Sequence, residues 1–113
     1  DVRAACESGW DFSLRWLDDP ADLASIHTTN RVPVDLNALL CRVETILARS
    51  YGLFGDFKRQ AQIQHKSRER LNLIQTLFFD EASGYFQDLL LFDLKPSPVS
   101  SMVGIFFLFL GLA

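Results

Sequence analysis

The chain has 113 residues, of which 49% are hydrophobic and 22% charged, and it carries a net charge of −3. That balance fits one folded domain or a part of one and argues against a disordered chain. It also offers no basic surface for a nucleic acid, because Lys66, Arg68 and Arg70 share their stretch with Glu69 and read as a solvated helix face.

The first 34 residues hold no sustained period, and the segment around Glu7 and Asp11 reads as non-helical. Asp19 before Pro20 is the chemistry of a helix start, with the acid as cap and the proline at the first helical position. His27 to Asn30 reads as loop. Val32-Pro33-Val34 reads as extended, since Pro33 turns Val32 away from the helical region.

A first clear helix follows, with Asp35 as N-cap before Leu36. Leu36, Leu39, Leu40, Val43, Ile46 and Leu47 form its apolar stripe, Glu44 falls on the solvated face, and Gly52 marks the stop. A second helix starts after a cap at Asp56 and runs from Phe57 to Phe78. The short Gly-containing join predicts an antiparallel αα-hairpin. Asp80 to Gly84 is a turn, after which Tyr85-Phe86-Gln87-Asp88 reads as extended. No strand alternates with the helices, which argues against a βαβ arrangement.

Lys95-Pro96-Ser97-Pro98 breaks the chain before an apolar tail, MVGIFFLFLGLA. This run is shorter than the roughly 20 apolar residues that a spanning helix needs, so no membrane span is expected. Such a tail calls for partners outside this chain. Together with a start at Asp1, it gives the expectation of a segment cut from a longer domain.

The glycines are scattered and form no phosphate loop, and no Ser elbow or metal-ligand spacing is visible. Cys6 and Cys41 read as two small buried or half-buried thiols, and they assign no redox compartment. What remains is acids. Asp11 stands between Trp10 and Phe12, with Gly9 before it and Trp16 after it. Apolar walls favour the protonated form of a carboxyl group, and a protonated acid can donate to a leaving group. Aromatic faces also suit the C–H faces of sugar rings. The same pattern suits a capping aspartate beside core aromatics, and Glu7 stays open as a second carboxylate. Arg15 is suited to pair with a carboxylate or anchor this loop. Asp35 and Asn37 read as helix-start residues, His27 as a loop histidine and Trp16 as core.

The run Arg3-Ala4-Ala5-Cys6-Glu7-Ser8-Gly9-Trp10-Asp11-Phe12-Ser13-Leu14-Arg15-Trp16 resembles the signature of the trehalases, glycoside hydrolases that split α,α-trehalose into two glucoses. Ile26-His27-Thr28-Thr29 and Val32-Pro33-Val34-Asp35-Leu36-Asn37 continue the likeness in order, as does Phe79-Asp80-Glu81-Ala82-Ser83-Gly84-Tyr85-Phe86-Gln87-Asp88. Leu14 stands where the family usually has Ser, and His27 where Arg is common.

The resemblance implies an all-α fold, with residues 1–113 forming part of a single (α/α)6 toroid whose stretch 95–113 is an atypical apolar tail. It implies an inverting hydrolysis of the disaccharide trehalose, with no cofactor and no metal. Asp11 takes the place of the general acid, and Gly9 and Trp10 that of sugar-site residues. The family's general base and sugar-binding arginines fall outside this chain, so the isolated chain is expected to be inactive. Two other readings stay open: another (α/α)6 glucosidase of glucoamylase type, and a non-catalytic helical remnant that binds a partner or a membrane through its apolar tail. No residue assigns a cellular compartment.

Overall fold

The structure is a computed structural model, and it describes residues 1–11 and 13–112. A short helix, α1 (Val2–Glu7), leads through turns to strand β1 (Arg31–Val32). Then come two long helices, α2 (Val34–Leu53) and α3 (Phe57–Leu77). Four two-residue strands follow: β2 (Phe79–Asp80), β3 (Tyr85–Phe86), β4 (Leu89–Leu90) and β5 (Lys95–Pro96). The tail closes the chain as a turn at Met102–Gly104 and a short helix, α4 (Ile105–Phe109).

The helical hairpin expected from the sequence is present, with α2 and α3 packed along their length. Asp56 caps α3 as predicted, accepting the Arg59 N–H at 3.1 Å. At α2 the expectation shifts. The helix begins at Val34, so Asp35 lies inside the first turn, and it runs one residue past Gly52. The early start follows from Pro33, whose fixed φ sets the entry. Asp35 still serves a helix-start N–H, that of Leu36, at 2.9 Å.

The face that α2 buries is not its apolar stripe. Val34, Asp35, Ala38, Cys41, Glu44 and Ala48 are the buried positions. They recur at helical spacing and turn mostly small side chains toward α3. Cys41 sits against Ser67 there, its thiol 3.5 Å from the hydroxyl. Glu44, expected in solvent, is buried and meets the Arg70 guanidinium at two 3.0 Å contacts. A third contact joins Arg70 to Asn37 Oδ1 at 3.0 Å. Arg70 therefore also leaves the solvated face assigned to it. The hydrogen bonds to Glu44 and its charge, working against partial burial, hold Arg70 above the usual arginine pKa. Leu36, Leu39, Leu40, Val43, Ile46 and Leu47 all point outward, with Val43 50% and Ile46 51% exposed.

The all-α expectation is right for the bulk and wrong at the joins. β1, β4 and β5 form a three-stranded antiparallel sheet that pairs Arg31 with Leu90 and Leu89 with Pro96. β2 and β3 form a hairpin pairing Phe79 with Phe86. Two residues per strand carry no period-2 signal. The sequence reads as extended at Val32 and at Tyr85-Phe86, within β1 and β3, but does not announce β2, β4 or β5. Their ladders satisfy backbone groups where the chain doubles back under the helix ends.

The core gathers Val34 and Ala38 of α2, Ile74 of α3, Phe78, Leu89, Val103 and Phe107. The tail thus supplies two of its central residues, and Phe107 stacks on Phe86 with ring centroids 4.2 Å apart. The expectation that the tail must look outside the chain is corrected on this face. Met102, Leu108 and Phe109 remain exposed on the other. Among the described residues no helix is long and apolar enough to cross a membrane.

Candidate functional site

The segment expected to be non-helical up to Asp11 contains α1. Residues Val2 to Glu7 close a single helical stretch, in which Arg3 pairs with Glu7 at 2.9 Å across one exposed turn. Glu7 is therefore the last residue of a helix and not a loop acid. Gly9 ends the run with φ +76°, and a Cβ there would meet nothing within 4 Å. What the position demands is the left-handed backbone and not space, and glycine adopts that conformation without steric cost.

From Gly9 the chain enters the turn that carries Asp11. The Trp10 N–H donates to Ser8 Oγ at 3.0 Å. The Trp10 carbonyl accepts two donors, the Ser13 N–H at 3.1 Å and the Trp16 indole N–H at 2.8 Å. Asp11 itself is exposed. Phe12, expected to wall Asp11 on its other side, lies outside the described residues. Trp16 is 1% exposed, as a core reading requires.

Beneath this turn lies a buried ionic cluster. Arg15, 1% exposed, donates from Nε and Nη2 to Asp88 at 2.7 and 2.6 Å. It donates from Nη1 and Nη2 to Asp35 at 3.0 Å each. The guanidinium lies 4.4 Å from the centroid of the Trp16 ring and 5.6 Å from that of Trp10. Burial disfavours the cation, and the hydrogen bonds and charges of Asp35 and Asp88 outweigh it, so the Arg15 pKa lies above the usual value. One cation between two carboxylates is the fork geometry that suits arginine and not lysine. The sequence left Arg15 either to pair with a carboxylate or to anchor the loop. It gave no signal for Asp88, which lies 73 positions away.

A cleft of about 250 Å³ opens over this cluster, lined among others by Glu7, Ser8, Trp10, Asp35, Leu39 and Phe106. A larger groove of about 700 Å³ lies between α2 and α3, lined by Thr45, Arg49, Gln60, Arg68 and others, away from the expected site residues. His27 pairs with Asp18 at 3.2 Å and so takes a structural partner. Asp22, not Asp19, caps the short turn at Leu23–Ser25, while Asp19 Oδ1 accepts the Ala21 N–H. Cys6 is an exposed thiol and Cys41 a buried one, and neither is in a disulfide. No group of three or more His, Cys, Asp or Glu side chains is placed to hold a metal ion among the described residues.

The family model described as Trehalase matches residues 1–113, the whole chain. The chain belongs to the trehalase family. A periplasmic trehalase of Citrobacter koseri is 42% identical over 103 residues, which cover 91% of this chain and 18% of that protein. Periplasmic trehalases of two Salmonella strains, newport and agona, are 40% and 38% identical over 88% and 91% of the chain. This trehalase-family chain thus spans less than a fifth of the length of the curated relatives it matches.

Proposed function

We propose that this chain is part of an inverting glycosidase that hydrolyses α,α-trehalose, in which Asp11 is the general acid. The observation that carries the reading is the whole-chain family match, which includes the Glu-Ser-Gly-Trp-Asp run of the turn beside the Arg15 cleft. As the C1–O bond breaks, the Asp11 carboxyl proton passes to the glycosidic oxygen. A water molecule, deprotonated by a base elsewhere in the longer protein, attacks C1 from the opposite face. Two glucose molecules result, and Asp11 is left as a carboxylate for reprotonation.

Gly9 and Trp10 serve the sugar site in this reading. Gly9 supplies the backbone bend, and Trp10 offers an aromatic wall to the cleft. The long α2–α3 hairpin, with its outward apolar stripe, is the kind of unit from which an (α/α)6 toroid is built. Residues 1–113 then belong to one such catalytic domain.

The test is made in the longer protein. Asp11→Asn keeps the shape of the side chain and removes the proton, and trehalose hydrolysis should fall by about 10²- to 10⁴-fold. Near-normal hydrolysis by that variant overturns the assignment.

A further inference from the structure

We propose that Trp16 and Ser8 are positioning residues for Asp11, holding the peptides on either side of Trp10 so that the acid meets the glycosidic oxygen at a fixed height. The proposal rests on the reading of Asp11 as general acid. Trp10 is fixed at four points. Its N–H donates to Ser8 Oγ at 3.0 Å, its carbonyl accepts the Trp16 indole N–H at 2.8 Å and the Ser13 N–H at 3.1 Å, and its ring stands over the Arg15 guanidinium. Ser8 is itself tied back, donating to the Ala5 carbonyl at 2.6 Å. Trp16 is tied more deeply. Its backbone N–H donates to the Ser13 carbonyl at 3.1 Å, its carbonyl accepts the His27 N–H at 2.8 Å, and its ring lies on the guanidinium that Asp35 and Asp88 hold.

A line of support therefore runs from two buried carboxylates through Arg15 and Trp16 to the carbonyl immediately before Asp11. The acid is mounted on a braced peptide although its own side chain is exposed. An indole N–H is a single donor in a fixed direction, so it sets the height of that carbonyl in a way that a phenyl ring cannot. Proton transfer is steep in distance, and a misplacement near 1 Å costs about a hundredfold in rate.

The decisive comparison uses two substrates of the longer protein. Trehalose needs a proton on its leaving oxygen, whereas α-glucosyl fluoride expels a fluoride ion that does not. Trp16→Phe keeps the ring and removes the N–H. It should lower kcat on trehalose by about tenfold or more, with KM little changed. On α-glucosyl fluoride it should lower kcat less than about threefold. Ser8→Ala, at an exposed position, should show the same selectivity at smaller amplitude and serves where Trp16→Phe does not fold. Equal loss on both substrates, or no loss on trehalose, overturns the proposal. Asp11→Asn, run alongside, separates the two levels. If it hydrolyses trehalose normally, the general-acid reading itself fails; if it is impaired while both positioning variants are not, only the positioning fails.

Discussion

The carboxylate of Asp88 accepts the backbone N–H of Val34 at 2.9 Å, 54 positions away along the chain. Val34 opens α2, so this helix takes a cap from a distant strand end and not from the residue before it, Pro33, which makes no side-chain cap bond. The same carboxylate takes two of the Arg15 donors. One side chain therefore joins the α2 start, the arginine and the strand region.

Removing Asp88 should be expensive. Asp88→Ala leaves Arg15 paired with Asp35 alone, strips two of its four carboxylate hydrogen bonds in a dry site, and leaves the Val34 N–H unpaired. The lost charge-assisted hydrogen bonds and the stranded donors together cost about 2–4 kcal/mol, since Asp35 still balances the Arg15 charge. Urea denaturation of the longer protein should show a drop of that order, and a drop under about 1 kcal/mol would contradict the geometry.

The second buried pair makes a contrasting prediction. Arg70→Met alone strands the Glu44 carboxylate against α3 and should cost about 3 kcal/mol, discounted somewhat because the Arg70 side chain is 24% exposed. Pairing it with Glu44→Leu removes both charges and fills the space with apolar groups. The double variant should recover most of the loss, giving a coupling measurable as a thermodynamic cycle.

Gly104 is a packing position. A Cβ there would press on the Phe86 carbonyl and stand 2.7 Å from a Tyr85 ring carbon. Both are held, Phe86 by its ladder with Phe79 and by its stack on Phe107. Gly104→Ala should destabilise the longer protein by about 2 kcal/mol through overpacking, seen as a lowered Tm.

The outward stripe of α2 separates the isolated chain from the longer protein. Leu39→Glu with Val43→Lys and Ile46→Glu should raise the solubility of the 113-residue chain, since those side chains face water there. If the hairpin is part of the (α/α)6 toroid proposed above, the same triple change in the longer protein should lower Tm sharply, because neighbouring helices would then cover the stripe. The isolated chain should also melt without a cooperative transition. A sharp transition, or a triple variant of the longer protein as stable as its parent, would count against a toroid around this hairpin.

Local chemistry made the hairpin legible. Asp56 and the apolar period of Leu36 to Leu47 announce two helices, and both are present. Which face of α2 turns inward was not legible, because the period marks an apolar stripe without saying which neighbour covers it. Ala38, Cys41 and Ala48 are poor signals of a buried face, yet small residues are what let α3 come close. Glu44 misled for a related reason: a charge reads as solvated until its partner is known, and Arg70 lies 26 positions further on. At the candidate site, Trp10, Asp11 and Trp16 stood out as a cluster within seven residues, whereas Asp88 could not be joined to it from spacing alone. Long-range polar contacts leave no local period.

The Arg15–Asp88 link also sets an order in time. A chain made from its N-terminus has Arg15, Asp35 and the sequence of both long helices in hand before residue 88 exists, so until then Arg15 lacks two of its carboxylate hydrogen bonds and the Val34 N–H lacks its partner. The braced peptide before Asp11 is therefore finished late, by a residue that takes no part in the turn itself, and the acid's final pose waits on the far end of the segment.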